Sequence, residues 1–219
     1  MPRILFEKKG NAVWISHLDL MRLFQRAFKR AGLPLTHTQG YNPRPSVSIA
    51  LPLSVGVESQ CELLDFELDG ESVPCEQITQ RLNAVLVPGV QVLQTYENGN
   101  KLKELSLLRV KLTMEYDHGV PAEAGEGIQN LFQRATLTVE KKGKNGPVQQ
   151  DIIPMIRSFE LRQSDANTMV MDALICCQNP TLNPMQLAAA IEKYLPELKP
   201  DFVKCCRLEI FDTNETIFR

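Results

Sequence analysis

The stretch from Ser16 to Leu53, SHLDLMRLFQRAFKRAGLPLTHTQGYNPRPSVSIALPL, constrains the fold more than any other part of the chain. Ser16 can cap the first turn of a helix, and Asp19, three residues on, can reach back as in a capping box. Leu20, Leu23, Phe24, Ala27 and Ala31 then recur at three- and four-residue spacing, with Met21 and Phe28 widening the same face. Arg22, Arg26, Lys29 and Arg30 fall on the opposite side. Gly32 suits a left-handed helix end, and Pro34 blocks continuation. The spacing therefore predicts a helix with one apolar and one cationic face, followed by a loop, Gly40-Tyr41-Asn42-Pro43-Arg44-Pro45, too rich in turn formers to be a strand.

The flanking patterns read as strands. Arg3 to Lys9 alternates apolar and charged residues like a half-buried strand, and Gly10-Asn11 turns it toward Ala12 to Ile15, a short strand or the lead-in to the helix. Leu35 to Gln39, Ser46 to Leu51 and Leu63 to Leu68 follow as strands, the last with Asp65 and Glu67 on a solvated face. A second helix runs from Cys75 to about Leu86, burying Ile78, Leu82 and Val85, and Val90 to Tyr96 closes the set. The polar segment ENGNKLKE, residues 97–104, is a linker. The order then repeats: a strand over 107–116, a helix over 122–133, strands over 136–142 and 148–153 joined at Gly143-Lys144-Asn145-Gly146, and a hairpin over 158–176. A helix opening at Pro184 presents Met185, Leu187, Ala188, Ile191 and Leu195 as its apolar face, and a strand over 203–211 ends the repeat. The expected fold class is α+β, with two tandem ferredoxin-like (split β-α-β) domains bearing added hairpins, over residues 1–97 and 104–219.

Charge is regional. Residues 1–57 hold eight Lys or Arg against two acids, a net of +6, and residues 58–99 hold eight acids and one base, a net of −7, while the whole chain carries only −2. A local positive surface attracts phosphates or an acidic partner without indiscriminate nucleic-acid binding. The apolar start, MPRILFEKKGNAVW, lacks the order of a signal peptide, and no stretch approaches the ~20 apolar residues of a membrane helix, so the expected location is the cytoplasm with no membrane partner. Cys61, Cys75, Cys176, Cys177, Cys205 and Cys206 include no C-x-x-C and read as thiols of a reducing compartment. The pairs 176–177 and 205–206 can share a role only if their strands are neighbours.

Common catalytic signatures are missing from the sequence. A SAM-cleaving iron–sulfur cluster needs C-x-x-x-C-x-x-C, and no such triplet exists; a Walker loop, G-x-G-x-x-G and G-x-S-x-G are missing too. No metal ligand set and no cofactor is expected. Three histidines remain, His17, His37 and His118. If the loop folds over the helix start, His17, His37, Tyr41 and Arg44 line one cleft in which an imidazole takes a 2′-OH proton and a cation holds the phosphate. His17 as an ordinary half-buried side chain is the plainer reading. In the loop, two prolines stiffen the backbone around Arg44, and Tyr41 offers a ring for base stacking.

The run SHLDLMRLFQRAFKRAGLPL, then QGYNPRP, ALPLSVGVES and the acidic ELLDFEL, resembles the radical-SAM-associated protein family, a bacterial domain of unknown function. It is found fused behind a B12-binding-type radical SAM protein or encoded beside one. NPMQLAAAIEKYL and VKCCRLEIF resemble the closing elements of that family. The family commonly has Phe at the position of Tyr41 and often His at that of Arg44, where a positive contact survives. The resemblance implies a radical SAM partner and a place in modification of RNA, either tRNA or rRNA. Together these readings describe an accessory protein rather than an enzyme, which binds RNA or a radical SAM partner through Arg22, Arg26, Lys29, Arg30, Tyr41, Asn42 and Arg44. The alternatives are a metal-independent RNA-processing or RNA-modifying enzyme using His17 with Tyr41 and Arg44, and a purely structural dimer.

Overall fold

The computed structural model describes residues 1–143 and 146–219, and it divides into two compact units, Met1–Glu104 with Phe218–Arg219, and Leu105–Ile217. Both are α+β. Among the described residues no helix is long and apolar enough to cross a membrane.

In the first unit, β1 (Arg3–Lys8), α1 (His17–Arg30), β2 (Val47–Ile49), β3 (Glu58–Phe66), α2 (Cys75–Asn83) and β4 (Val90–Tyr96) follow in sequence. The strands lie in the order β4-β1-β3-β2 with every neighbour antiparallel. Ile4 and Phe6 of β1, Leu64 and Phe66 of β3, and Val90 and Val92 of β4 pack in one cluster with Leu20, Phe24 and Phe28 of α1 and Ile78 and Leu82 of α2. Phe24 meets Phe6 edge-on at 4.7 Å, and Phe28 lies 4.9 Å from Phe66. Each fully buried phenylalanine contributes about 2–3 kcal/mol by desolvation, so these two contacts fix how α1 rolls on the sheet.

Several local expectations give way here. Of the two readings of Ala12 to Ile15 the strand gives way and the lead-in to the helix holds: residues Gly10–Trp14 form a 3-10 turn, because Ala12 N–H donates to Lys9 O and Ile15 N–H to Ala12 O, spending the bonds a ladder needs. Leu35 to Gln39 makes only single bridges, Leu35 to Leu68 and His37 to Pro45, because Thr36 N–H donates to Glu67 O and Arg44 N–H to Thr38 Oγ1, which leaves neither to continue a ladder. The second helix stops at Asn83, whose side-chain amide donates to Val92 O and accepts from Val92 N–H, both at 2.8 Å, and Val85 is left half-buried.

Two charged residues of β1, Arg3 and Lys8, do not face solvent. Lys8 is buried and donates to Ile15 O at 2.9 Å. Arg3, 5% exposed, grips both carboxylate oxygens of Asp65, donates to Asn100 O at 2.9 Å and lies 5.3 Å over the Phe218 ring. Burial alone would lower the Arg3 guanidinium, but the hydrogen bond and charge of Asp65 outweigh it and hold its pKa above the ordinary value. Asp65 is therefore one arm of a clamp rather than part of a solvated face.

The second unit contains β5 (Leu105–Glu115), α3 (Ala124–Phe132), β6 (Thr138–Gly143), β7 (Gly146–Asp151), β8 (Ile156–Asp165), β9 (Thr168–Cys176), α4 (Met185–Tyr194) and β10 (Phe202–Asp212). Its strands run β10-β5-β9-β8, again antiparallel throughout, and β6 pairs only with β7. The turn expected at 143–146 lies partly outside the described residues, at positions 144 and 145. α4 buries Gln186, Leu187, Ala190 and Ile191, so its inward stripe is rotated away from the expected Met185 and Ala188, which stay half-exposed. All six cysteines are thiols. The two adjacent pairs are not on neighbouring strands: β5 runs between them, with Cys176 level with Leu107 and Cys206 level with Lys111. Two strand spacings, about 10 Å, keep them apart. Among the described residues no three His, Cys, Asp or Glu side chains gather as a metal-ligand set.

Candidate functional site

The site is built on α1, and its local chemistry begins at the cap. Ser16 holds extended backbone angles, its hydroxyl accepts from Asp19 N–H at 3.2 Å and donates to Asp19 Oδ2 at 2.7 Å. Asp19 Oδ1 then accepts from Arg22 at 3.0 Å. The Ser16 hydrogen bond, followed by that of Arg22, holds the Asp19 carboxyl below the usual carboxylate range. Gly32, at φ +66, ends the helix as the left-handed cap the sequence predicts.

One acid is thus shared between a cap and one arginine. The side chains of Arg26, Lys29 and Arg30 are exposed and make no ion pair or hydrogen bond with the described residues. Cations at i, i+3 and i+4 on one helix face repel each other by a few tenths of a kcal/mol per pair, a cost an incoming anion removes.

Two grooves flank this ridge. The first, about 410 Å³, is lined by Arg22, Arg26 and Arg30 on the α1 side, has Leu23 and Ala27 in its floor, and is closed by Val85 and Val87 from the segment after α2. The second, about 420 Å³, lies at the other flank and C-terminal end of α1, where Lys29 and Gln25 face His37 and Pro45 over Phe28, Leu33 and Leu35. Beyond His37 the loop closes on itself: Thr38 N–H donates to Arg44 O at 2.8 Å, and Arg44 N–H donates to Thr38 Oγ1 at 3.0 Å. Tyr41 at the tip is 100% exposed, and Asn42 and Arg44 are exposed beside it.

The expected residues therefore divide into three places: Arg22, Arg26 and Arg30 in one groove, Lys29 in the other, and Tyr41, Asn42 and Arg44 on the loop. The structure does not bring His17 and His37 together. His17 opens α1, whereas His37 shares a groove with Lys29, twelve residues or about 18 Å further along the axis. Val85 and Val87 were missed as groove residues. Their place just before Pro88 and Gly89 is the one signal the sequence carries for them.

The family profile described as "Uncharacterized protein conserved in bacteria (DUF2344)" matches residues 2–184, a span containing α1, the loop and both grooves. The chain belongs to that family. No curated protein is significantly similar to it. Among solved structures, a chain of a Cbf5–Nop10–Gar1 complex superposes with a TM-score of 0.52 at 8% identity, covering 95% of this chain and 48% of that one. A chain of the archaeal box H/ACA sRNP Nop10–Cbf5 complex gives 0.48 at 8% identity, over 94% and 46% respectively. This DUF2344 chain spans about half the length of these two solved chains, and at such identity the first likeness is one of fold alone.

Proposed function

We propose that this DUF2344 protein is a non-enzymatic RNA-binding accessory protein in RNA modification, built from two tandem split β-α-β (ferredoxin-like) units, and that it works beside a radical SAM enzyme. The strand orders β4-β1-β3-β2 and β10-β5-β9-β8, each interleaved with two helices, support the architecture. The radical SAM partnership rests on the sequence resemblance. RNA binding rests chiefly on one observation: Arg26, Lys29 and Arg30 stand exposed without acid partners on the same helix as Arg22, while the loop that follows presents a fully exposed Tyr41 and an exposed Arg44. Phosphates supply the missing counter-charge, and an unstacked base is the natural cover for an exposed ring held on a short, proline-bounded loop.

The test is to purify the native protein and assay it for nucleic-acid absorbance and for a partner polypeptide, beside a variant carrying Arg22→Glu, Arg26→Glu and Lys29→Glu. All three side chains are exposed, so the thermal midpoint should stay within a few degrees. Loss of bound RNA from the variant supports the proposal, and RNA retained at the native level refutes it.

A further inference from the structure

The three-arginine groove has a period. Arg22, Arg26 and Arg30 are successive i+4 positions of one helix, and all three line the same furrow. Four residues of α-helix rise about 6 Å, so the guanidinium groups are seeded at intervals close to one nucleotide step of an RNA strand. The opposite wall is of another kind. Val85 is half-buried, Val87 is 39% exposed, and Leu23 and Ala27 lie between. Among the described residues lining the groove no cation faces the arginine row, and the one acid, Asp19, sits beside Arg22 on the helix side. One side can therefore hold a single line of phosphates, and the other can only cover sugars and bases.

We infer that this groove is a track for one strand of RNA, with Arg22, Arg26 and Arg30 holding three successive phosphates and Val85 and Val87 packing against the sugar–base side. This rests on the RNA-binding reading above and adds the substrate class, single-stranded rather than duplex RNA. A duplex would set its second phosphate row against Val85 and Val87, which offer it no counter-charge. The cations are also unequal. Arg22 already shares charge with Asp19 at 3.0 Å, so Arg26 and Arg30 carry more of the binding.

The experiment measures binding of the full chain to an oligouridylate decamer and to a fully paired RNA duplex of equal length, across a series of salt concentrations. The decamer should bind at least ten-fold tighter than the duplex. Arg26→Gln with Arg30→Gln should lower the slope of log affinity against log salt by about 1.4, from about 0.7 per phosphate contact on a single strand. Arg22→Gln alone should cost less affinity than either Arg26→Gln or Arg30→Gln alone, each of which should lose up to about five-fold. Val87→Glu, on the far wall, should weaken the decamer several-fold with no change in thermal midpoint. Duplex binding equal to or tighter than the decamer overturns the single-strand track while leaving RNA binding in place. Decamer binding indifferent to both Val87→Glu and the arginine pair places the strand elsewhere and also overturns it. If neither RNA binds, the RNA-binding reading falls and the track falls with it.

Discussion

Replacing Arg3 with alanine tests how the first unit is held together. The side chain is 5% exposed, forms a forked pair with Asp65, whose side chain is 17% exposed, donates to Asn100 O and covers the Phe218 ring. Truncation leaves a mostly buried carboxylate without its cation. A fully buried pair broken in this way costs about 3–5 kcal/mol, and the residual solvent access of Asp65 brings the expected loss to about 3 kcal/mol. At a urea m-value of about 2 kcal/mol/M the unfolding midpoint should fall by about 1.5 M. Unfolding is followed by circular dichroism, because Trp14, the only tryptophan, is already 68% exposed in the fold and changes little in environment when the unit opens. Arg3→Lys keeps a charge but not the fork, and should recover only part of the loss. A double-mutant cycle of Arg3→Ala with Phe218→Ala should give a coupling of about 1 kcal/mol from the cation–ring contact. An Arg3→Ala midpoint within 0.3 M of the parent would refute the clamp.

Other consequences follow from single residues. At Gly89, φ is +87 and an added Cβ would overlap Lys9 O and meet Ala12 Cβ at 3.0 Å, so Gly89→Ala should destabilise the first unit by about 3 kcal/mol, the upper end of backbone-strain costs, in the same urea assay. Among the thiols, Cys61, Cys177 and Cys205 are buried and Cys75, Cys176 and Cys206 half-buried; a thiol-reactive dye at neutral pH should label only the second three until denaturant is added. Burial pushes Cys205 up from 9.0 to about 12 and Cys177 to about 11. A raised acid of this kind stabilises the fold fully below pH 9 and loses that contribution as pH rises toward the folded value, so stability should decline through the alkaline range and Cys205→Ala should flatten the decline. Asp19 has the opposite sign: its lowered pKa makes its cap contribution full above the ordinary carboxylate value and lost as pH falls through the folded one. Asp19→Asn should remove that acid dependence and, by freeing Arg22, tighten RNA binding.

How much of this was legible depended on how local the cause was. α1 could be read end to end, because Ser16, Asp19, Gly32 and the apolar spacing all act within a few residues of one another. Leu35 to Gln39 looked like a strand because its own residues suit one, yet the bonds that decide are made with Arg44, Ser46 and Glu67, which approach only in the fold. Arg3 and Asp65 each looked solvated alone, and their pairing spans 62 positions. The same distance effect hid the site. The cations of α1 were visible, but the valines that make a groove of three of them come from beyond α2, and the grouping of His37 with Lys29 rather than His17 follows from the path of the chain after Gly32.

Where RNA touches the protein can be measured directly by photo-crosslinking 4-thiouridine-substituted RNA to the full chain and mapping the modified peptides. The account predicts adducts concentrated in residues 17–30 and 37–45, with Tyr41 among them, and their disappearance in the variant carrying Arg22→Glu, Arg26→Glu and Lys29→Glu. Adducts confined to residues 105–217, or unchanged in that variant, would contradict it.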